Sequence, residues 1–179
     1  GPIHGSTLEY FENEFRDHVA IQRQGGGHKT LSQGADMLET DTWYAGPGIL
    51  LSRMSGLYNA IMYITHTPVE DGTLKAWHGL LVKVDNVEPT EEDVASCREF
   101  QESSRLAFAQ DFEVWANKKP VIQILQIKSD GAFHKTREWY GQFYNPRSEA
   151  QERQEKVNGF YTVKWLPPAP KTVSAAGKY

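Results

Sequence analysis

Three consecutive segments rich in branched and aromatic residues constrain the fold of this chain more than any other feature. They cover residues 42–52, 57–67 and 74–84, and turn signals centred on Gly56 and Gly72 separate them. Short apolar runs divided by such turns are typical of β-hairpins. The sequence therefore predicts a consecutive antiparallel meander of three strands.

The middle run predicts that both faces of this sheet are covered. Residues 60–64 are apolar at every position, whereas a strand with one solvated face alternates apolar and polar residues. One covering element is the segment 91–117, which predicts a long helix with Thr90 as its N-cap and acidic residues in its first turn. The other face either packs against more protein or lines a cavity.

The flanking segments predict a mixed α and β chain. Residues 7–24 place apolar side chains at three- and four-residue steps, which predicts an opening helix. Residues 120–127 predict another strand, and residues 135–144 a short helix or strand. The whole pattern predicts an α+β domain, an antiparallel sheet gripped by a long helix, over residues 1–165, followed by a proline-rich tail at 166–179.

Composition excludes several functional classes. The 179 residues include 19 Lys and Arg against 23 Asp and Glu, a balance that does not favour nucleic-acid binding. No apolar run reaches the ~20 residues of a membrane helix, so no membrane span is expected. Cys97 is the only cysteine, which fits a reducing cytoplasm and excludes an iron–sulfur cluster held within this chain.

Asp111 is the most informative single residue of the predicted long helix. It shares an apolar stripe with Phe108 and Trp115, in steps of three and four residues. A carboxylate on a buried face needs a partner, because desolvation disfavours its charged form. An ion pair with an internal arginine such as Arg53 or Arg137 is one explanation, and a catalytic or metal-binding role is the other.

The predicted sheet and helix also carry aromatic and histidine side chains that a ligand could contact. If residues 71–72 form a two-residue turn, His66 faces Trp77 and His78 points to the other side of the sheet. None of the six histidines forms a local metal-binding pair. Candidates for the wall of a cavity, or alternatively for a solid core, are Trp43, Tyr63, Trp77 and Trp115.

Several segments together resemble the Rieske non-heme iron oxygenases. Residues 110–119, which include Asp-Phe-Glu-Val-Trp, resemble the helix that carries the iron-binding carboxylate in this family. An Asp-Gly pair follows at 130–131, and Arg-x-Trp-Tyr-x-Gln-Phe-Tyr follows at 137–144. This order is most similar to the oxygenase component of 3-ketosteroid 9α-hydroxylase and to related steroid and sterol oxygenases.

Further matches extend the resemblance over about residues 3–145. Ile-His-Gly-Ser at 3–6 is similar to the start of the family's catalytic domain. Tyr-x-Gly-Pro at 44–47 and His-x-Pro-Val at 66–69 are weaker matches.

The resemblance implies a START-like helix-grip domain with an apolar cavity between the sheet and the long helix. It also implies a mononuclear Fe(II) held by two histidines and one aspartate, with open positions for oxygen. Asp111 matches the aspartate and is the implied catalytic residue, and His4 matches the second histidine. The first histidine is expected five residues before His4, at a position that precedes Gly1.

The implied function is that of the catalytic-domain portion of an oxygenase that hydroxylates a steroid-like polycyclic substrate. The family's 2Fe–2S cluster would be held by residues outside this chain, a reductase or ferredoxin would supply electrons, and the oligomer would be a trimer. Alternatives are a degenerate homologue that binds a lipophilic ligand, a non-catalytic subunit, or a cofactor-free acid–base enzyme that uses Asp111.

Overall fold

The computed structural model of the chain describes residues 6–28, 37–55, 59–127 and 130–163. The strands are β1 (Ser6–Arg16), β2 (Val19–His28), β3 (Met37–Ala45), β4 (Ile49–Ser55), β5 (Ala60–Glu70), β6 (Thr73–Val82) and β7 (Gly159–Val163). The α-helices are α1 (Glu91–Ala116), α2 (Phe133–Gly141) and α3 (Ala150–Val157). His4 and the predicted tail at 166–179 lie outside the described residues. No helix in the described part is long and apolar enough to cross a bilayer.

The strands form one sheet of consecutive antiparallel hairpins, with β7 added at one edge. The order is β6-β5-β4-β3-β2-β1-β7, and every neighbouring pair is antiparallel. Gly46 (φ 91°) turns the chain between β3 and β4, and Gly72 (φ 72°) between β5 and β6, in the left-handed region that favours glycine. The predicted meander and the predicted α+β helix-grip class are confirmed.

The prediction of an opening helix at residues 7–24 is wrong. This segment forms β1 and β2, which meet at a turn containing Asp17 at φ 50°. Apolar residues recur at three- and four-residue steps, but side-chain burial in the structure follows the two-residue alternation of a strand. Asn13 and Phe15, two residues apart, are both buried. Pairing with β3 and β7 stabilises this alternation, and a reading of local spacing cannot detect those distant partners.

Two strand predictions also need correction. The run at 42–52 spans two strands, because a glycine turn divides it. Residues 120–127 contribute no strand within the described ranges. Instead, the Arg137 guanidinium donates to the carbonyl oxygens of Val121 (2.8 Å) and Ile122 (3.1 Å). A side chain thus binds backbone carbonyl groups that a strand would have paired with a neighbouring strand.

Helices cover both ends of one row of side chains that crosses the sheet. At one end of the row, β1 and β2 pack against α2 and α3 in the buried core. At the other end, β6 contacts α1. Directly paired residues of adjacent strands share a face, so α1, α2 and α3 lie on the same side. We call this side the helix face and the opposite side the outer face. The central row of the helix face consists of Phe15, Ala20, Tyr44, Leu50, Ile64 and His78.

Trp139 fixes α2 on the β1–β2 turn. Its side chain is fully buried, and its Nε1 donates a hydrogen bond to the Asp17 carbonyl oxygen at 2.9 Å. Gln142 Nε2 donates to the same oxygen at 3.1 Å. The rings of Tyr140 and Phe143 pack edge-to-face against Trp139, each with centroids 5.0 Å apart. This end of the helix face is therefore a tightly held core.

The long helix α1 begins where the sequence predicts. Thr90 Oγ1 accepts a hydrogen bond from the Asp93 backbone N–H at 3.1 Å, and the Asp93 carboxylate accepts one from the Thr90 N–H at 2.8 Å. This reciprocal pair is a capping box. Along α1, which is described over its whole length, every side chain keeps some exposure. Apolar burial therefore contributes less to the position of α1 than to that of α2.

His78 of β6 links α1 to the sheet by polar and ring contacts. Its Nδ1 lies 2.9 Å from Gln101 Nε2, its Nε2 lies 3.2 Å from Ser104 Oγ, and its ring stacks on Phe108 with centroids 5.6 Å apart. The Gln101 amide nitrogen can only donate, so Nδ1 accepts and the neutral ring donates from Nε2. Burial lowers the pKa of His78, which favours this neutral form.

Replacing Trp139 with alanine should lower the free energy of unfolding by about 3–5 kcal/mol, the usual range for removing a fully buried aromatic side chain. The reason is the cavity left between α2 and the β1–β2 turn. Urea denaturation of both proteins measures the change. Trp77→Ala is the control, because the Trp77 ring is 47% exposed. Equal losses in the two variants would contradict the assignment of Trp139 to the core.

Acidification should destabilise the chain in part through His78. Because burial lowers its pKa in the folded state, the unfolded state takes up the proton first as the pH falls through about 6.5. This contribution is complete above that pH and is lost below it. His78→Gln should therefore show a smaller loss of unfolding free energy between about pH 7.5 and about pH 5.5. Urea denaturation at both pH values measures it, and an unchanged pH dependence would rule out His78 as the source.

Candidate functional site

Asp111 lies on the half-buried face of α1, one turn beyond Phe108 and two turns beyond Ser104. All three side chains are partly buried, whereas Glu113 is exposed. The predicted stripe therefore holds as far as Asp111. It ends before Trp115, whose side chain is 49% exposed and packs against the ring of Phe108 with centroids 5.7 Å apart.

The two arginines that the sequence suggested as partners of Asp111 make other contacts. Arg53 Nη2 lies 2.6 Å from Asp41 Oδ2 on the neighbouring strand β3. Arg137 binds the carbonyl oxygens of residues 121 and 122. Both guanidinium groups thus have partners on β3 or in the segment that follows α1. The metal-ligand role of Asp111 stays a prediction.

Trp43, Tyr63 and Trp77 lie on the outer face of the sheet. Trp43 and Tyr63 both pair with Leu51 of β4, so they share a face. Tyr63 also pairs with Gly79, and Trp77 lies two residues from Gly79 along β6, on the same face. These residues therefore face away from α1 and do not line a space between the sheet and that helix, as the sequence had suggested. Their contact with a substrate stays a prediction.

His66 lies on the helix face, so the prediction that it faces Trp77 is wrong. His66 pairs with Ala76 of β6. A bulge at Val69 adds one residue to β5 before the turn, and a one-residue shift moves a side chain to the opposite face. His66 therefore shares its face with His78.

Between α2 and α1, the helix face changes from polar to apolar. On β3 and β4, the hydroxyl oxygens of Thr42 and Ser52 form a hydrogen bond of 2.8 Å, and Ser52 is almost completely buried. A pocket of about 300 Å³ opens between the end of β6 and the first half of α1. A surface that is mainly apolar, with few polar groups, is typical of small-molecule sites. The half of the helix face nearer α1, which we call its apolar half, consists of Leu50, Met54, Met62, Ile64, Leu80 and Val82.

Two phenols meet at the α2 border of this surface. Tyr44 lies next to Leu50 in the central row, and Tyr140 lies on α2, with ring centroids 5.9 Å apart. Burial is the main cause that raises the pKa of both hydroxyls, and each hydroxyl also shifts the pKa of the other.

Sequence reasoning did not assign roles to the tyrosine pair or to the helix contacts of His78. Tyr44 and Tyr140 were noticed only as members of two separate motifs, 44–47 and 137–144. The signal in the sequence that could have pointed to them is that each of the two motifs contains a tyrosine. Their contact depends on the packing of α2 against β3, which no local pattern reveals.

The described residues do not fit an iron site by themselves. Among them, no three His, Cys, Asp or Glu side chains lie close enough to hold a metal ion. Asp111 offers one carboxylate, and His4, the other matched ligand, lies outside the described residues. A facial triad takes three protein ligands, so such a site would need residues beyond those described.

Most of this chain is similar in sequence to known proteins. The family model of the 3-ketosteroid 9α-hydroxylase C-terminal domain matches residues 1–144. An oxygenase component of 3-ketosteroid-9-alpha-monooxygenase from Rhodococcus rhodochrous is 29% identical over 156 residues, which are 79% of this chain and 40% of the relative. The component from Mycobacterium tuberculosis is 28% identical over 153 residues, with the same shares. A cholesterol 7-desaturase from Xenopus laevis is 29% identical over 107 residues, 58% of this chain and 22% of the relative.

The chain thus spans about two fifths of the length of the two oxygenase components. The family model extends from before β1 to beyond α2, and it includes Asp111, Tyr44 and Tyr140. The resemblance drawn from sequence motifs is confirmed. This chain belongs to the 3-ketosteroid 9α-hydroxylase C-terminal domain family.

Proposed function

We propose that this chain is the catalytic-domain portion of a Rieske-type oxygenase that hydroxylates a steroid-like polycyclic substrate. The observation that carries the proposal is the family match over residues 1–144, which includes Asp111 on the half-buried face of α1. Two relatives are named as 3-ketosteroid monooxygenase components, and a third as a cholesterol desaturase. All three names point to oxidation of a steroid skeleton.

The proposed cofactors are a mononuclear Fe(II) and a 2Fe–2S cluster. From this chain, Asp111 and His4 are the proposed iron ligands, and iron in such a site supplies the oxygen chemistry. The cluster would lie on residues outside the chain. Reduction would come from a reductase or ferredoxin, in a cytoplasmic assembly that contains several copies, as in a trimer.

The residues of the chain would position the ligand helix and shape the substrate site. His78 holds α1 through Gln101 and Ser104, and this sets the distance between the sheet and the turn that carries Asp111. The apolar half of the helix face would bind a rigid apolar substrate and displace water from it. Trp115 fits a substrate contact, since it follows Asp111 by one turn. The outer-face residues Trp43, Tyr63 and Trp77 could contact only a ligand bound on that side.

Asp111→Ala in an assembled oxygenase that includes this chain should lose bound iron and should lose turnover by at least about 100-fold, since even outer-shell changes cost up to that much. Binding of a 3-ketosteroid should stay within about twofold, because the apolar surface is unchanged. Iron analysis, turnover and steroid titration measure the three effects. Glu113→Ala is the matched control, two residues away on the exposed side of α1, and it should change none of them.

The alternatives predict other outcomes for Asp111→Ala. Loss of a turnover that needs no metal would indicate acid–base chemistry and contradict the oxygenase proposal. A fall of about 3–5 kcal/mol in unfolding free energy, with or without steroid, would indicate a buried ion pair. Unchanged iron content would show that Asp111 is not a ligand. Steroid binding without turnover in the unaltered assembly would favour a degenerate, ligand-binding homologue.

The chain on its own should be purified largely free of metal. His4 and Asp111 are at most two protein ligands, whereas mononuclear iron sites of this kind use three. Elemental analysis after gentle purification, without chelators, measures the iron content. Near-stoichiometric iron would contradict the expectation and would show that another residue, such as His66 or His18, completes the site.

A further inference from the structure

We propose that Tyr44 and Tyr140 together form a hydrogen-bond donor site for the carbonyl oxygen of an apolar ligand on the helix face. The inference rests on the proposed function, because that function supplies a ligand of this chemistry, a rigid polycyclic ketone. It goes beyond that function by assigning the residues that bind the polar end of the ligand and set its direction on the sheet.

The donor follows from counting protons. Each phenol carries one hydroxyl proton, and a hydrogen bond between Tyr44 and Tyr140 would use only one of the two. Whichever hydroxyl donates in such a bond, one O–H group of the pair is left over. In the described part of the chain, the hydroxyl pair has no further hydrogen-bond partner. The pair therefore offers at least one O–H group to a ligand.

The position of Tyr44 gives this donor an apolar approach. From Tyr44, the central row continues through Leu50 and Ile64 to His78, a distance of three strand spacings or roughly 14 Å. Both ring nitrogens of His78 are already bonded to α1. Tyr44 is therefore the side chain of this row that can offer a hydroxyl donor to a ligand. A flat ketone with its oxygen at Tyr44 would lie over Leu50 and Ile64 and point toward α1.

The core holds the pair in place. Trp139 packs against Tyr44 with centroids 6.2 Å apart and against Tyr140 with centroids 5.0 Å apart, and it is itself fully buried. Burial also raises the pKa of both phenols, so both remain protonated donors across the physiological range. The pair would therefore orient and polarise a carbonyl group, and it would not act as a base.

Removing single hydroxyl groups tests the proposal on the full chain. Tyr44→Phe and Tyr140→Phe keep the rings, and Tyr144→Phe is the matched control, because Tyr144 belongs to the same motif but is 75% exposed. The probes are 5α-androstan-3-one and 5α-androstane, which differ by one carbonyl oxygen. Displacement of an environment-sensitive apolar dye measures both affinities for each protein.

The unaltered chain should prefer the ketone by about threefold to tenfold, the value of one net hydrogen bond. Tyr44→Phe should abolish this preference, Tyr140→Phe should reduce it, and Tyr144→Phe should retain it. Affinity for the hydrocarbon should be the same in all four proteins.

An undiminished ketone preference in Tyr44→Phe would overturn this inference and leave the proposed function standing. An equal loss of both steroids in that variant would also overturn it, since it would indicate a structural role. If the unaltered chain binds neither steroid, both the inference and the proposed ligand class fail. If Tyr44→Phe does not show a cooperative urea transition, Tyr140→Phe decides, and an unchanged ketone preference there overturns the inference.

Discussion

The alternation of side chains across the sheet, with every described helix on one side, is the constraint on which the rest of the structure depends. It places Phe15, which shares the core with Trp139 of α2, and His78, which holds α1, in one row. The two helices are thereby separated by the width of the middle strands. The surface left between them, around Leu50 and Ile64, is apolar and is bordered by polar groups at both ends.

Features that depend on neighbouring residues were predictable from the sequence. The capping box at Thr90 and the stripe that turns Asp111 toward the sheet are both encoded within a few residues of their own positions. The opening segment was misassigned as a helix, because its apolar spacing also fits a helical stripe. Its pairing with the distant strand β7 cannot be read from that spacing. The face of His66 was also missed, since a bulge of one residue is invisible in a turn motif. Fold class and the local side-chain placements thus followed from pattern, whereas placements that depend on distant pairing or on a bulge did not.

The two sides of the candidate site are held by different kinds of interaction. Near α2, a fully buried indole and paired phenols make a rigid wall. Near α1, one histidine bonds two polar side chains of a helix that keeps every side chain partly exposed. The family likeness from residue 1 to residue 144 covers both walls. The proposed iron ligand therefore lies on the less tightly held element, and the proposed carbonyl donor lies on the more tightly held one.

The attachment of α1 has a consequence for how the molecule opens. Its contacts with the sheet are concentrated on the edge strand β6, so α1 can separate as one unit while the ladder of strand hydrogen bonds stays intact. Amide protons of α1 would then exchange with solvent through this sub-global opening, before those of β3 and β4 do. Each such opening would uncover the middle strands from the side. A rigid molecule too large for the pocket between β6 and α1 would gain its path to the sheet in that way.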